Sequence, residues 1–284
     1  MPWIQRSLQT LRLKDCPSLL SEAVAATLTA MRCLVDLELS GCRTLTTIEP
    51  LKALMENQAI HDTLEELRIQ GVSFDPVYLD PELEDLPVPE DLQLPFIELN
   101  MGPADEGATL VSVFRNLRIL DLRFCGWVSN SLVLHIGQHL GKLERLDLSG
   151  CSNIRGQFGL EPLEALPKLR QVHLVNMHPS VGIQPLAAIR TLEEIQCRDS
   201  AGVTDEEVCQ VVRGCPALTK FNVEGCQGIT QQTITGVTDI VRREGRDAVL
   251  SLWVGETNVQ RWARARQSLL LRVFHDRAYQ PFLQ

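Results

Sequence analysis

The sequence predicts an α/β solenoid of about ten coils, with short parallel strands on a concave face and helices on the convex face. Three observations predict this fold. The phrase Leu-x-x-Leu-x-Leu-x-x-Cys recurs at a spacing near 26 residues, only 5% of residues are aromatic, and the apolar period changes after each cysteine. A fixed period of this length is typical of repeat proteins, whose coils bury their apolar faces only by stacking on one another.

The phrase has clear and weakened copies. Clear copies span residues 8–16, 34–42, 117–125, 143–151 and 218–226, and weaker ones begin at residues 64, 169, 192 and 249. The interval between residues 64 and 117 is twice the usual spacing, and Leu94-Ile97-Leu99-Gly102 fits the template there. We interpret this match as a tenth, degenerate repeat, because the alternative, one loop of about 40 residues, is uncommon in compact proteins.

Each copy predicts one strand and the segment after it one helix. The second and third apolar positions are two residues apart, so both face the core of an extended strand while the residues between them face outward. After Cys125, the residues Leu132, Ile136 and Leu140 recur at helical spacing. Thr204 with Glu207 matches a capping box at the start of another helix. A strand, a turn and a helix therefore make one coil.

These coils predict a repeat domain over residues 1–257, with an acidic, proline-bearing insertion at 73–93. Residues 258–284 are predicted to form a C-terminal capping helix and tail. The last coil of a solenoid needs a cover. The helix, over about 258–274, has an apolar side made of Val259, Trp262, Leu269, Leu270, Val273 and Phe274. Binding of this helix to a membrane surface or to a partner helix is the alternative.

Composition and charge exclude several function classes. The chain has 27 Lys and Arg against 36 Asp and Glu, a net charge of −9, which disfavours nucleic acid as a partner. We find no signal peptide and no apolar run long enough for a membrane span. Nine cysteines are an odd number without a CxxC pair, which disfavours a disulfide framework. A reducing compartment, the cytoplasm or the nucleus, is expected.

No cofactor, metal or catalytic site is predicted. The repeat cysteines follow the solenoid period, so they form a ladder of buried thiols and do not converge on one ion. His135 and His139 lie four apart on a predicted helix without a third ligand. A remote alternative is a hydrolase that uses Ser149 and His173. An open sheet supplies no shielded pocket and no oxyanion hole, so we do not expect an enzyme.

The concave face is the predicted binding surface for a folded protein. Its outward positions carry eight acids and seven Lys or Arg, and this balance suits a protein better than a polyanion. Phe96, Ile119, Val175 and Trp253 are candidate apolar anchors, although Trp253 could instead pack under the terminal helix. For any single position, an ordinary solvated strand residue is the competing interpretation. The candidate binding residues are Arg12, Glu38, Arg68, Phe96, Glu98, Ile119, Asp121, Arg123, Arg145, Asp147, His173, Val175, Arg198, Lys220 and Trp253.

One segment carries the excess of acid. Residues 73–106 contain ten acids and no Lys or Arg, so the remainder of the chain is nearly neutral. Four prolines disfavour regular structure within residues 73–93, and a solvated spacer is the simplest interpretation of that part. The functional hypothesis is a loop that overhangs the concave face and contacts a basic partner. Its central acids are Asp80, Glu82, Glu84, Asp85, Glu90 and Asp91.

The complete phrase resembles the cysteine-containing type of leucine-rich repeat. Residues 213–230, with Cys215, Pro216, Leu218 and Cys226, carry that signature, and Val203-Thr204-Asp205 is similar to its turn. Such repeats are typical of F-box/leucine-rich-repeat proteins, the substrate receptors of cullin-RING ubiquitin ligases, and of related antagonists of mitotic exit that lack an F-box. The resemblance implies a non-catalytic module for substrate recognition in a ubiquitin-ligase-type complex.

The same resemblance implies a Skp1-like adaptor as a second partner, provided that an F-box precedes the repeats. No three-helix F-box pattern is visible before the first repeat at Leu8. A scaffold or assembly subunit of a larger complex is therefore the alternative function.

Overall fold

The computed structural model describes residues 7–42, 44–45, 47–71, 104–244, 248–259 and 270–275, and in these ranges ten strands form one parallel sheet in chain order. This architecture confirms the predicted solenoid. The strands are β1 Thr10–Lys14, β2 Asp36–Ser40, β3 Glu66–Arg68, β4 Ile119–Asp121, β5 Arg145–Asp147, β6 Gln171–His173, β7 Glu194–Gln196, β8 Lys220–Asn222, β9 Leu250–Trp253 and β10 Leu271–Phe274.

Helical segments cover the other side of the sheet. Coils contain either an α-helix or, as after β5 and β6, a shorter 3₁₀ segment that begins with a proline in its first turn. The α-helices are α1 Ser21–Ala30, α2 Glu49–Glu56, α3 Ala104–Val113, α4 Asn130–His139, α5 Asp205–Gly214 and α6 Gln231–Glu244; the 3₁₀ segments are Gln58–Ile60, Glu161–Ala165 and Gln184–Ala188.

The register of the sheet stacks the leucine positions on one another. Leu37 pairs with Leu67, Leu67 with Leu120, and Leu120 with Leu146, and all four side chains are fully buried. One core therefore runs between the sheet and the helices along the whole solenoid. Close packing of neighbouring coils demands glycine in places, since a Cβ atom at Gly214 would collide with the backbone carbonyl of Ala187.

The capping box predicted at the start of α5 is present. The Thr204 hydroxyl accepts a hydrogen bond from the Glu207 N–H, and the Glu207 carboxylate accepts one from the Thr204 N–H. The Glu207 carboxylate also accepts from the Ile183 N–H in the preceding coil. The cap therefore satisfies backbone N–H groups at the start of α5 and also links two coils.

The repeat cysteines act as buried donors between coils. The thiol of Cys125 donates to the carbonyl of Ile69 at 2.8 Å, and that of Cys151 to Leu122 at 3.1 Å. Burial raises the pKa of the Cys226 thiol to about 12, so the group stays protonated and able to donate. All nine cysteines are free thiols. The thiol ladder has the structural role that its spacing predicts.

The degenerate repeat predicted at 94–102 does not contribute a strand between β3 and β4, so this prediction is wrong. Strand β3 pairs directly with β4, with Glu66 opposite Ile119 and Arg68 opposite Asp121, so no strand lies between them. A strand at 94–99 would have to separate Leu67 from Leu120, which stack in register. Residues 72–103 themselves lie outside the described ranges.

The tenth strand comes from the C-terminal region, where a helix was predicted. Residues Leu271–Phe274 pair in parallel with β9, so the helix predicted over 258–274 is wrong for these residues. The sheet thus continues past residue 257. The apolar residues of this short run fit a period of 2 as well as one of 3.6, and pairing with β9 selects the strand. Residues 260–269 and 276–284 lie outside the described ranges.

Within the described ranges, no helix combines the length and apolarity needed to cross a bilayer.

Candidate functional site

The concave face consists of three columns of side chains that cross strands β1 to β9. Strand pairing aligns the outward positions of neighbouring coils, for example Arg12 with Glu38 and Asp147 with His173. The middle column contains Arg12, Glu38, Arg68, Asp121, Asp147, His173, Gln196, Asn222 and Trp253; the columns on either side contain, among others, Asp36, Ile119, Arg145, Glu194 and Lys220, and Lys14, Arg123, Ser149, Val175, Arg198 and Glu224.

Ion pairs join the first three strands of this face. Arg12 contacts Asp36 at 2.6 Å, and Arg68 contacts the other oxygen of Asp36 at 2.8 Å. Lys14 contacts Glu38 at 2.9 Å. Burial raises the pKa of Glu38, but hydrogen bonds and charges of its neighbours, Lys14 among them, lower the pKa by more than burial raises it. The pKa of Glu38 therefore lies below its ordinary value. Glu38 is therefore a carboxylate at neutral pH.

A second chain of alternating charges crosses strands β4 to β8. Arg123 contacts Asp147 at 3.4 Å, and Asp147 contacts Nδ1 of His173 at 3.1 Å. The Nε2 atom of His173 lies 3.7 Å from Glu194, which contacts Lys220 at 3.1 Å. Because each group contacts the next coil, the side chains at the centre of the face are fixed relative to one another.

His173 is the buried centre of this chain. Burial lowers its pKa, but the hydrogen bond with Asp147 and the charges of Asp147 and Glu194 outweigh burial and raise the pKa to about 9. The imidazole is therefore charged at neutral pH, and each ring nitrogen faces a carboxylate. In the same way, His173 and Lys220 hold the pKa of Glu194 below its ordinary value although burial raises it.

This geometry does not match what the hydrolase alternative requires of Ser149 and His173. A serine nucleophile needs a neutral histidine that accepts its proton. His173 is instead a cation held between two carboxylates, and the Ser149 hydroxyl accepts a hydrogen bond from the Val175 N–H at 3.1 Å. No group of three His, Cys, Asp or Glu side chains in the described ranges is arranged to hold a metal ion.

The predicted apolar anchors are less exposed than their positions suggest. Trp253 is buried, because Phe274 of β10 stacks on it with ring centroids 4.9 Å apart and planes 12° from parallel. Among the described residues at this end of the face, Phe274 is an exposed aromatic. Ile119 and Val175 are half-buried. The prediction of Trp253 as an exposed contact is wrong, since it did not include a strand after β9.

Several predicted residues lie outside the described ranges. They are Phe96 and Glu98 of the predicted degenerate repeat, and Asp80, Glu82, Glu84, Asp85, Glu90 and Asp91 of the acidic segment.

One exposed aromatic at the rim of the face was not predicted. Phe124 follows the third column, has φ 57°, and is more than half exposed. Gly150 and Asn176 hold the equivalent left-handed position in the next two coils, and a bulky side chain is unusual there. The signal in the sequence is a phenylalanine directly before Cys125, where Gly150 precedes Cys151. Phe124 is therefore a further candidate for contact with a partner.

Comparison with known proteins links the chain to F-box proteins. F-box protein MAX2 homolog A of Petunia hybrida is 28% identical over 128 residues, which cover 43% of this chain and 18% of that protein. F-box protein MAX2 homolog B of the same plant is 28% identical over 156 residues, or 52% of this chain and 20% of that protein. The chain thus spans about a fifth of the length of these relatives. No family model matches it.

Solved structures of similar shape include a leucine-rich-repeat protein of Leptospira interrogans, with a TM-score of 0.48 and 13% identity over 90% of this chain and 49% of that one. The yeast Rad7–Elc1 complex has a TM-score of 0.41 and 14% identity over 96% of this chain and 82% of that one. The sheet of ten parallel strands and the recurring leucine phrase give the chain a leucine-rich-repeat fold, and with the two petunia relatives they show a resemblance to F-box/leucine-rich-repeat receptors.

Proposed function

We propose that this chain is a non-catalytic module that recognises a substrate protein for a ubiquitin-ligase-type complex, and that the substrate binds the concave face. The observation that carries the proposal is the ordered network of charges across that face. Side chains that are already fixed lose little conformational entropy when a partner binds, which favours specific recognition. The similarity to F-box proteins supports the ubiquitin-ligase setting.

The proposal includes two further features. A Skp1-like adaptor is the expected second partner, provided that an F-box precedes the repeats, because F-box/leucine-rich-repeat receptors join their ligases through one. The cytoplasm or the nucleus is the expected location, since nine free thiols suit a reducing compartment.

The test is affinity purification of the tagged full chain from cells at low salt, followed by mass spectrometry. The variant Gln171→Trp places an uncharged bulky group on the concave face, in strand β6. The matched control, Gln232→Trp, places the same group on the exposed side of α6. We expect both variants to retain a Skp1-like adaptor and a cullin, and only Gln171→Trp to lose the substrate.

Two results would overturn the proposal. Equal recovery of the substrate with both variants would show that the concave face is not its binding site. A stable stoichiometric complex that contains neither adaptor nor cullin would instead establish a scaffold or assembly subunit.

A further inference from the structure

In most ion pairs of the concave face, the positively charged side chain is more exposed than its acidic partner. The described part of the three columns contains seven Asp or Glu and seven Lys or Arg side chains, so the numbers of negative and positive charges are equal. Accessibility is not balanced. The side chains of Arg12 and Lys14 are 52% and 56% exposed, whereas their partners Asp36 and Glu38 are 9% and 7% exposed.

The same asymmetry holds at the other end of the face. The side chain of Lys220 is 42% exposed and that of its partner Glu194 only 4%. The acid is likewise the more buried partner in the pairs of Arg123 with Asp121 and of Arg198 with Glu224. The exception is the pair of Arg68 and Glu66, in which the acid is the more exposed.

Side-chain length and backbone contacts explain this arrangement. Asp121 accepts a hydrogen bond from the Arg123 N–H at 3.1 Å, and Asp147 accepts one from the Ser149 N–H at 3.0 Å, which hold both carboxylates down on the sheet. Lys and Arg have long side chains whose charged ends reach towards water. Apart from Arg68 with Glu66, each pair is therefore a dipole whose positive end is the more exposed one.

We propose that the concave face binds an acidic protein segment, rich in Asp and Glu, that lies across the strands. This inference rests on the proposed function and names the chemistry of its substrate. From β1 to β8 the face measures roughly 34 Å at the usual strand separation, a length that an extended segment of about ten residues spans. Arg12 directs Nε and Nη2 to Asp36, and its exposed side allows Nη1 to donate to an incoming carboxylate.

A protein segment fits this surface better than a nucleic acid. Affinity for a polyanion rests on cations that release counterions when they neutralise phosphates. Here buried carboxylates already neutralise the cations, so the field of each pair falls off within a short distance. The net charge of −9 opposes the approach of a long polyanion. A short acidic segment within contact distance still gains hydrogen bonds with ionised donors.

The inference is tested with labelled peptides of about twelve residues, a length that spans the face. Fluorescence anisotropy compares a mixed Asp/Glu peptide, its Asn/Gln counterpart, and a single-stranded oligonucleotide with as many negative charges. The concave variant K14Q/R145Q/K220Q is matched by K52Q/K168Q/R190Q, whose three exposed cations lie outside the three columns. Both variants change the net charge by the same amount, so overall attraction is equal in the two.

We expect the acidic peptide to bind the wild-type chain and the control, and to bind the concave variant about tenfold more weakly. Binding should weaken with added salt, and the Asn/Gln peptide should not bind. The conservative variant K14R/R145K/K220R should retain binding, which separates charge from damage to the fold. Circular dichroism and thermal unfolding establish that each variant is folded.

Equal weakening in both triple variants would overturn the inference, since attraction would then depend on total charge. Equally tight binding of the oligonucleotide would also overturn it and indicate a general polyanion surface. If Gln171→Trp abolishes capture of the substrate while K14Q/R145Q/K220Q leaves it unchanged, the proposed function holds and the acidic partner does not. If Gln171→Trp also leaves capture unchanged, the proposed function itself fails.

Discussion

Replacing His173 with glutamine should remove a pH-dependent contribution to the free energy of unfolding. The pKa of His173 is about 9 in the fold, above the value of about 6.5 for an unfolded chain. Asp147 and Glu194 face its ring, and Arg123 and Lys220 contact those carboxylates. A group whose pKa rises on folding stabilises the fold below its unfolded pKa, and this contribution disappears as pH rises through the folded pKa.

The expected size follows from the two pKa values. Each tenfold difference in proton affinity is worth about 1.4 kcal/mol, so values of about 9 and 6.5 correspond to about 3 kcal/mol. The free energy of unfolding of the wild-type chain should exceed that of His173→Gln by that much more near pH 6 than near pH 10. Most of the change should fall between about pH 6.5 and 9.5.

The assay is urea denaturation followed by circular dichroism at several pH values. The control is His139→Gln, at the end of α4 and outside the charge network, which should follow the wild-type profile. A constant difference in stability between wild type and His173→Gln across this range would refute the reasoning, since folding would then not raise the pKa of His173.

Three further predictions concern the core and the two exposed aromatics. Leu120→Ala should lower the free energy of unfolding by about 2–5 kcal/mol in denaturant titrations, and a loss below about 1 kcal/mol would contradict close stacking of the leucine column. Phe124→Asn should leave thermal stability unchanged or slightly higher, because asparagine tolerates a positive φ, yet reduce substrate capture; unchanged capture would exclude Phe124 as a contact. Phe274→Ala should shift the fluorescence of Trp253 towards the red, and an unshifted spectrum would argue against their stacking.

Most of the sheet could be predicted from the sequence because the repeat period follows from the stacking of one coil on the next. Strands β1 to β9 lie where the leucine phrase places them, since each apolar position must meet its equivalent in the next coil. A local match to the phrase was insufficient at residues 94–102, because strand order also depends on which coils pair. The run at 271–274 was ambiguous for the opposite reason, since its partner β9 supplies the information that selects a strand.

The concave face shows a second limit of sequence reasoning. The residues of the three columns could be predicted from the sequence, but a count of their charges does not distinguish buried side chains from exposed ones. Whether a charged group reaches solvent depends on the length of its side chain and on its contacts with the backbone. The carboxylates of Asp121 and Asp147 accept hydrogen bonds from N–H groups of the turn after each strand, which keeps them against the sheet. The raised pKa of His173 has the same origin, because it needs carboxylates from both neighbouring coils.

Because β3 pairs directly with β4, the segment that connects them can change in length and sequence during evolution while the sheet stays intact. The two strands begin 53 residues apart, about twice the usual interval, yet they stack like any other neighbours. In general, doubling the length of a connection between two fixed ends costs only about 0.6 kcal/mol of closure entropy. New sequence can therefore be gained, lost or recharged at this junction while the solenoid on either side stays one continuous unit.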